Sequence, residues 1–404
     1  MGHHTPEFRT AAPRGLCTDC GVSRMASPNA CGKACQFIKP TYPTIEEQVH
    51  GREARTEDDE RFFGVVKKMY RAALKPARDG AQWTGLTTRL AERLLETGAV
   101  DAVLTMIPDT EDRWRPRPAI ITSPEDMQMA RGMRMGYAPL MALLEPAKTA
   151  GHRRIAVIGI PCQIYALRAL EAELGFDRIY VIGTPCSDNT TTENFHDFLG
   201  RLTDAPETVT YLEFRADYHV ELRFTDGRQQ LIPFLRLPLS DLPKDFFPTT
   251  CRTCVDYTNR LADITVGYMA GEGEQWVIVR NARGQEMLDA LGQEVTLAAP
   301  DSKGKRRSSV KGFVENTRLA AGGLPLSRMP DFLRGIMAWL MPLIGPRGLE
   351  FARARVEMKA AETILHLRRE KPAKMKNMVP GHVWALAKPY GLEPEPSETS
   401  QSKV

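Results

Sequence analysis

Ile155-Ala156-Val157-Ile158-Gly159-Ile160-Pro161-Cys162 and Tyr180-Val181-Ile182-Gly183-Thr184-Pro185-Cys186 are near-repeats. Each is a short apolar run, then glycine, then X-Pro-Cys. A run of that kind, bounded by Gly and Pro, reads as a buried strand. Residues 163–174 between them read as a helix, which makes the pair a βαβ unit. Strands so connected run parallel, as neighbours about 4.8 Å apart. Both cysteines then leave the sheet at its C-terminal edge, where open α/β sheets bind ligands.

Working outward, residues 100–104, 264–268 and 276–280 read as further strands. Residues 208–235 alternate apolar and polar around Asp226-Gly227, a hairpin signal. Residues 61–105 read as helix, helix, strand. Gln82-Trp83-Thr84-Gly85-Leu86-Thr87-Thr88 leads into an amphipathic run at 89–96, which Gly98 ends. A second helix is expected over 124–149, and the pattern is helical from about 285 onward. The expected fold class is α/β (α+β), with a mixed central sheet around the βαβ unit. Expected divisions are an N-terminal segment (1–60), an α/β core (61–285), a mainly helical region (286–390) and a disordered tail (391–404), rich in Glu, Pro and Ser.

Composition narrows the function classes. The chain has 404 residues, 42% hydrophobic and 26% charged, as in soluble globular proteins. A net charge of +4 is too small to imply nucleic acid. No run reaches the roughly 18–20 apolar residues of a membrane-spanning helix. Residues 1–14 have no apolar core, so a cytoplasmic protein is expected, with membrane association at most peripheral. His3 and His4 are only a pair and receive no role. In a reducing compartment, paired cysteines point to metal or redox chemistry rather than to disulfides.

The eight cysteines fall into two sets of four. Cys17, Cys20, Cys31 and Cys35 lie in a segment too poor in apolar residues to fold on its own core. Four thiolates on a metal centre would supply the missing cross-links. Gly15, Gly21 and Gly32 flank these ligands and let the backbone wrap closely. Cys162 and Cys186 end the two repeated strands, and Cys251-Arg252-Thr253-Cys254 adds a CxxC pair. Two plus two completes a [4Fe–4S] ligand set. For the first set, a zinc site with four cysteine ligands has similar spacing, and both readings stand at this point. A lone cysteine after a strand is usually a core thiol, but two at identical places in a repeat, with a CxxC left over, argue otherwise.

Ile160-Pro161-Cys162-Gln163, Cys251-Arg252-Thr253-Cys254-Val255-Asp256-Tyr257-Thr258-Asn259 and Leu261-Ala262-Asp263-Ile264-Thr265-Val266-Gly267-Tyr268-Met269 resemble the deazaflavin-coenzyme-reducing hydrogenase β-subunit family. Within it, the resemblance is to the ferredoxin-dependent chlorophyll-pathway reductases. These are the bacterial 8-vinyl reductases of divinyl (proto)chlorophyllide and the plant 7-hydroxymethyl chlorophyll a reductases. It covers roughly residues 15–370. It implies FAD and two [4Fe–4S] clusters, ferredoxin as electron donor and a tetrapyrrole substrate. The plant-type enzymes carry a third cysteine in the first run, near Ser23 here. This chain instead has Cys31 and Cys35 in Ala30-Cys31-Gly32-Lys33-Ala34-Cys35, which keeps four ligands and favours the bacterial vinyl reductases.

The resemblance places FAD against Thr84, Gly85, Thr87 and Thr88, where amides at a helix start favour phosphate. Without it, Thr and Gly before a helix are an ordinary cap. Arg131, Arg134, Gly136 and Tyr137 could add a phosphate or ribose contact, or form a solvated helix face. Asn259, Asp263 and Gly267 are expected between cluster and flavin ring, and Asp263, if buried, needs a specific partner. Asp256 and Tyr257 are the leading candidates for the proton donor, with His196 and His219 behind them. The basic loop 302–311 could dock an acidic ferredoxin or simply solubilise. The apolar run 332–344, broken by Arg334, Gly335 and Pro342, reads by default as a core helix. A porphyrin-facing lid, a homo-oligomer contact and a membrane-surface helix are its alternatives.

Overall fold

The computed structural model describes residues 2–6, 16–26, 30–215, 217–268, 273–323 and 329–399. Gly15, Met269 and tail residues 400–404 lie outside them. The strands, in chain order, are β1 (His3–His4), β2 (Lys68–Leu74), β3 (Ala102–Pro108), β4 (Pro116–Ile121), β5 (Arg154–Gly159), β6 (Arg178–Gly183), β7 (Val209–Phe214), β8 (His219–Phe224), β9 (Gln229–Pro233), β10 (Ile264–Gly267), β11 (Gln275–Val279) and β12 (Val295–Ala298). The chain divides into two units. The first comprises Met1–Cys186, Asp256–Gly267 and Gly273–Ala299; the second comprises Ser187–Val255, Tyr268–Glu272 and Pro300–Val404. Segment 61–285 thus contributes to both.

The first unit is built on one mixed sheet, ordered β1-β4-β3-β5-β6-β10-β11-β2-β12. Its centre, β3-β5-β6-β10, is parallel, and the flanking pairs are antiparallel. The repeat reads as expected: β5 and β6 are parallel neighbours with Gly159 opposite Gly183. Helix Pro161–Leu174 connects them and stops at Gly175, whose φ of 68° is left-handed. Ile155, Ala156, Val157, Val181 and Ile182 are completely buried, as strands covered on both faces must be.

The structure departs from the sequence reading in several places. Residues 61–105 contain β2 where the composition predicts a helix. Lys-Met-Tyr-Arg-Ala-Ala-Leu is helix-forming, but the edges of β11 and β12 claim its backbone. Strand β4 is not legible in the sequence, because Pro116 and Pro118 mask its pattern. The 124–149 helix is instead two 3-10 turns, Glu125–Ala130 and Leu140–Leu143, and a short helix, Leu144–Thr149. Gly132, Gly136 and Pro139 interrupt it.

Asp263, the residue before β10, ties this unit together. Its carboxylate accepts the Val181 amide (2.7 Å), Asn281 Nδ2 (2.7 Å) and Arg283 Nε (2.9 Å). Arg168 of helix Pro161–Leu174 pairs with it at 2.8 Å, and both side chains are fully buried. Burial alone would raise its pKa, but Arg168 and Arg283 outweigh burial and hold the carboxyl below its ordinary range. A Cβ on Gly284 would stand 2.0 Å from the Asp263 carbonyl oxygen, so helix Ala282–Asp289 approaches closely only because that residue is glycine.

The second unit carries the meander β7-β8-β9. The expected hairpin turn is present: Gly227 has φ 83° and the Asp226 carboxylate accepts the Arg228 amide. Helices Arg306–Ala320, Asp331–Ile344 and Leu349–Glu370 follow. The 302–311 stretch is not one loop. Ser302–Lys303 pairs with Arg347–Gly348, and Arg306 opens a helix, held by Glu350 (2.9 Å) and Glu357 (3.0 Å). The described part of the tail is ordered, because the buried Glu398 carboxylate accepts two bonds of 2.7 Å from Arg368. Helix Asp331–Ile344 is not a core helix: Phe332, Ile336, Trp339 and Leu343 are all exposed.

Replacing Asp263 with Ala leaves Glu171 as the remaining ion-pair partner of buried Arg168 and strips Arg283 of a partner, and should cost roughly 3–5 kcal/mol, read as a lower urea midpoint. The depressed carboxyl stabilises fully above the unfolded carboxylate range, and that stabilisation is lost as pH falls through the folded pKa. The gap between variant and parent should therefore narrow in acid.

Candidate functional site

Cys31 lies in the short helix Ala30–Ala34, which packs on helix Pro161–Leu174, and Cys35 directly follows it. The Cys17–Cys20 loop rests on residues 139–142. There the Met141 amide donates to the Cys20 carbonyl (2.8 Å), and a Cβ on Gly21 would meet the Ala142 nitrogen at 2.5 Å. The Asp19 amide points at Cys17 Sγ (3.4 Å). Cys17 and Cys31 are exposed, and Cys20 and Cys35 are half-buried. Burial pushes the Cys20 thiol up to about 12, and the sulfurs of Cys35, Cys31 and Cys17 push the same way. Among the described residues no three His, Cys, Asp or Glu side chains stand at metal-holding spacing. The donors, four thiols with amides aimed at sulfur, fit a thiolate-bound centre in kind and number, and serve iron–sulfur or zinc alike.

Cys162 sits in the first turn of helix Pro161–Leu174, and Cys186 follows β6, so both leave the same end of adjacent parallel strands. Asn259 ties those strand ends together, donating from Nδ2 to the Gly159 (2.8 Å) and Thr184 (3.2 Å) carbonyls. The predicted cofactor residues Asn259, Asp263 and Gly267 are thus packed into the scaffold here. A Cβ on Gly267 would strike the Pro185 ring at 2.3 Å. The two leading acid candidates are also interior. Tyr257 is 3% exposed and its carbonyl accepts the Cys186 amide (3.0 Å). Asp256 is 4% exposed, accepts the Arg260 amide, and has its pKa raised by burial. His196 is exposed on helix Thr192–Leu202, and His219 lies in β8 beside Asp217.

Cys251 and Cys254 belong to the second unit, around the short helix Thr249–Arg252. One stripe of helix Leu349–Glu370 grips them. Lys359 Nζ donates to the Cys251 carbonyl (2.7 Å), to Asp188 (2.9 Å) and to Glu362 (2.9 Å). The Thr363 hydroxyl donates to the Cys254 carbonyl (3.1 Å), and Glu370 pairs with Arg252 (3.0 Å). Lys359 is buried, and Asp188 and Glu362 keep it charged against the cost of burial. Burial, with Asp188 adding to it, pushes the Cys251 thiol up to about 12. Sequence reasoning missed this stripe. Its signal was polar residues at Lys359, Thr363, His366 and Glu370, three or four apart along one face of the helix.

The expected flavin turn is split in role. The buried Thr84 hydroxyl donates to Gln275 Oε1 (3.1 Å) and accepts the Leu74 amide (3.1 Å), so it serves the sheet. Gly85 caps helix Leu86–Glu96 with φ 86°, and half-buried Thr87 and Thr88 form its first turn. Beside this region runs the 129–134 segment, where Arg131 donates to the Asp79 carbonyl (3.3 Å). Arg134 donates to the Met129 (3.0 Å), Met133 (2.9 Å) and Arg131 (2.7 Å) carbonyls. Burial, with Arg113 nearby, lowers its pKa to about 10. The Nε atoms of Arg131 and Arg134 are buried without a hydrogen-bond partner among the described residues. Two such guanidinium groups fit an anionic group such as the phosphates of FAD. Tyr137 is half-buried near this segment.

Substituting Lys359 with Met leaves Asp188 and Glu362 without their shared cation and frees the Cys251 carbonyl. Alkylation of Cys251 in native metal-free protein, followed by peptide mass spectrometry, should speed up several-fold, and Lys359→Arg should lie between.

Sequence profiles of the coenzyme F420 hydrogenase/dehydrogenase β subunit match this chain, the N-terminal one over residues 69–145 and the C-terminal one over residues 152–303. An uncharacterized protein of Nostoc sp. is 36% identical over 389 residues, covering 96% of each chain. The chloroplastic 7-hydroxymethyl chlorophyll a reductase of Oryza sativa is 35% identical over 367 residues, covering 87% of this chain and 78% of that one. An F(420)H(2) dehydrogenase subunit of Methanosarcina mazei is 27% identical, covering 62% of this chain and 73% of its own. A chain of the F420-reducing [NiFe] hydrogenase complex from Methanosarcina barkeri shares the fold, with a TM-score of 0.56 at 19% identity over 75% of this chain and 93% of that one. The chain belongs to the coenzyme F420 hydrogenase/dehydrogenase β-subunit family.

Proposed function

We propose that this protein is a ferredoxin-dependent reductase of a chlorophyll-type tetrapyrrole, converting the 8-vinyl group of divinyl (proto)chlorophyllide to ethyl. The supporting observation is how far the similarity reaches. A match over 87% of this chain to the rice chlorophyll reductase necessarily runs into the segment after residue 303. The profiles end there, and the match to the Methanosarcina mazei dehydrogenase covers only 62%. That segment includes helix Leu349–Glu370, which grips Cys251 and Cys254. A tetrapyrrole therefore suits this chain better than a deazaflavin coenzyme.

Eight cysteines, four per cluster, would serve two [4Fe–4S] clusters. Arg131 and Arg134 serve the phosphates of FAD, with the Gly85–Thr88 turn alongside. When bound, these groups would turn single electrons from ferredoxin into the paired reduction that a vinyl group requires. The chain's own residues hold the cysteine loops rigid, through Asn259 in the first unit and Lys359 and Thr363 in the second. Asp256 and Tyr257 stay the proposed proton donors, although both are enclosed. The plant relative's name favours 7-hydroxymethyl chlorophyll as a second reading of the substrate.

Anaerobically purified protein should be brown, with about eight irons and one flavin per chain. Cys31→Ser should lose about four irons, and Arg134→Met should retain several-fold less flavin. Stoichiometric zinc without acid-labile sulfide would sink this reading. With reduced ferredoxin, divinyl chlorophyllide should lose its 8-vinyl absorption signature. Turnover of hydroxymethyl chlorophyll alone would instead select the second reading.

A further inference from the structure

Helix Asp331–Ile344 turns its apolar side outward. Of the ten large hydrophobic side chains exposed among the described residues, six lie on it: Phe332, Leu333, Ile336, Trp339, Leu343 and Ile344. Phe332 is 73% and Trp339 70% exposed. Phe332, Ile336, Trp339 and Leu343 follow one another at helical spacing along a single stripe. The inward side is the polar and small one. Buried Arg334 donates to the Leu235 (3.3 Å) and Leu237 (2.7 Å) carbonyls, and Ala338 is buried with it. The helix therefore docks by its arginine and displays what a globular helix would bury. Its C-terminal end is fixed too. The Lys305 amide donates to the Ile344 carbonyl (3.2 Å), and the Tyr218 hydroxyl to the Pro346 carbonyl (2.5 Å).

The first of those bonds brings positive charge to the end of the stripe. Lys303, Lys305, Arg307 and Lys311 are exposed and carry no ion pair among the described residues, whereas Arg306 is held by Glu350 and Glu357. We propose that this face docks on an anionic lipid surface, the stripe entering the boundary of headgroups and acyl chains and the basic segment resting on lipid phosphates. An apolar face with Trp and Phe, flanked by Lys and Arg, suits that boundary. The helix is about 21 Å long, short of a hydrocarbon core of about 30 Å, so it lies on the bilayer. No helix among the described residues is long and apolar enough to cross one. An acidic protein would match the basic segment but leave six apolar side chains without a reason. A second copy would cover the stripe but leave the exposed basic segment at its end without an anionic partner. An anionic bilayer satisfies both halves of the face.

Flotation of the purified full chain with phosphatidylglycerol vesicles tests this, against phosphatidylcholine vesicles. The protein should float several-fold more with the anionic vesicles, and added salt should weaken binding. Trp339→Ser with Ile336→Ser should abolish flotation, and Lys305→Glu with Arg307→Glu should reduce it several-fold. Both pairs are exposed, so unchanged circular dichroism is expected and separates lost docking from misfolding. The proposal fails if neither vesicle floats the protein. It fails equally if lipid-free protein self-associates through Trp339, or if the charge-reversed pair slows ferredoxin-driven reduction without changing flotation. Flotation and self-association need no substrate, so their failure is distinct from failure of the proposed reaction.

Discussion

The buried carboxylate of Asp263 is the point on which the first unit turns. A charge taken out of water is costly unless its partners are close and its hydrogen bonds complete. Here a β6 amide, Arg168, Arg283 and Asn281 complete them, so the sheet, the βαβ helix and helix Ala282–Asp289 are fixed relative to one carboxylate. Arg280 repeats the device a few residues on. Its guanidinium donates to the Phe63 (2.7 Å), Val65 (2.9 Å) and Thr258 (2.9 Å) carbonyls and anchors the segment before β2. Arg280 is 2% exposed, and that burial lowers its pKa to about 10.

The same logic governs the cysteines. A thiolate-binding loop must hold its backbone still while leaving sulfur free, so apolar packing over the sulfurs is a poor means of fixing it. Both units fix the backbone by its carbonyls instead. In the first, the Met141 amide holds the Cys20 carbonyl and Asn259 spans the two strand ends. In the second, Lys359 and Thr363 hold the carbonyls of Cys251 and Cys254. Lys359 also places a fixed cation near Cys254, in the part of the chain beyond the family profiles.

At the surface the usual polarity of a helix is reversed. Arg334 and Ala338 are the buried residues of helix Asp331–Ile344, Arg334 because two carbonyls receive it, and six large aromatic and aliphatic residues face out. A sequence window cannot foresee that reversal. Ten apolar residues in fourteen look like core until it is known which side meets the rest of the unit.

The sequence by itself determined the βαβ repeat, the parallel pairing of β5 and β6, the Asp226-Gly227 hairpin and the family. In each of these the signal is local: a short apolar run, a turn dipeptide, a cysteine at fixed spacing. It also named Asp263 as a residue in need of a partner, but not Arg168 or Arg283, which lie 95 positions before it and 20 after. Only the tertiary structure decided that Lys68–Leu74 is a strand, since the edges of β11 and β12 outweigh its helix-forming composition. Only it decided that Thr84 serves the sheet, that the Nε atoms of Arg131 and Arg134 have no hydrogen-bond partner among the described residues, and that Lys359 grips the CxxC loop. Hydrogen bonds and ion pairs between residues far apart in sequence depend on where the chain returns, and no local pattern encodes that.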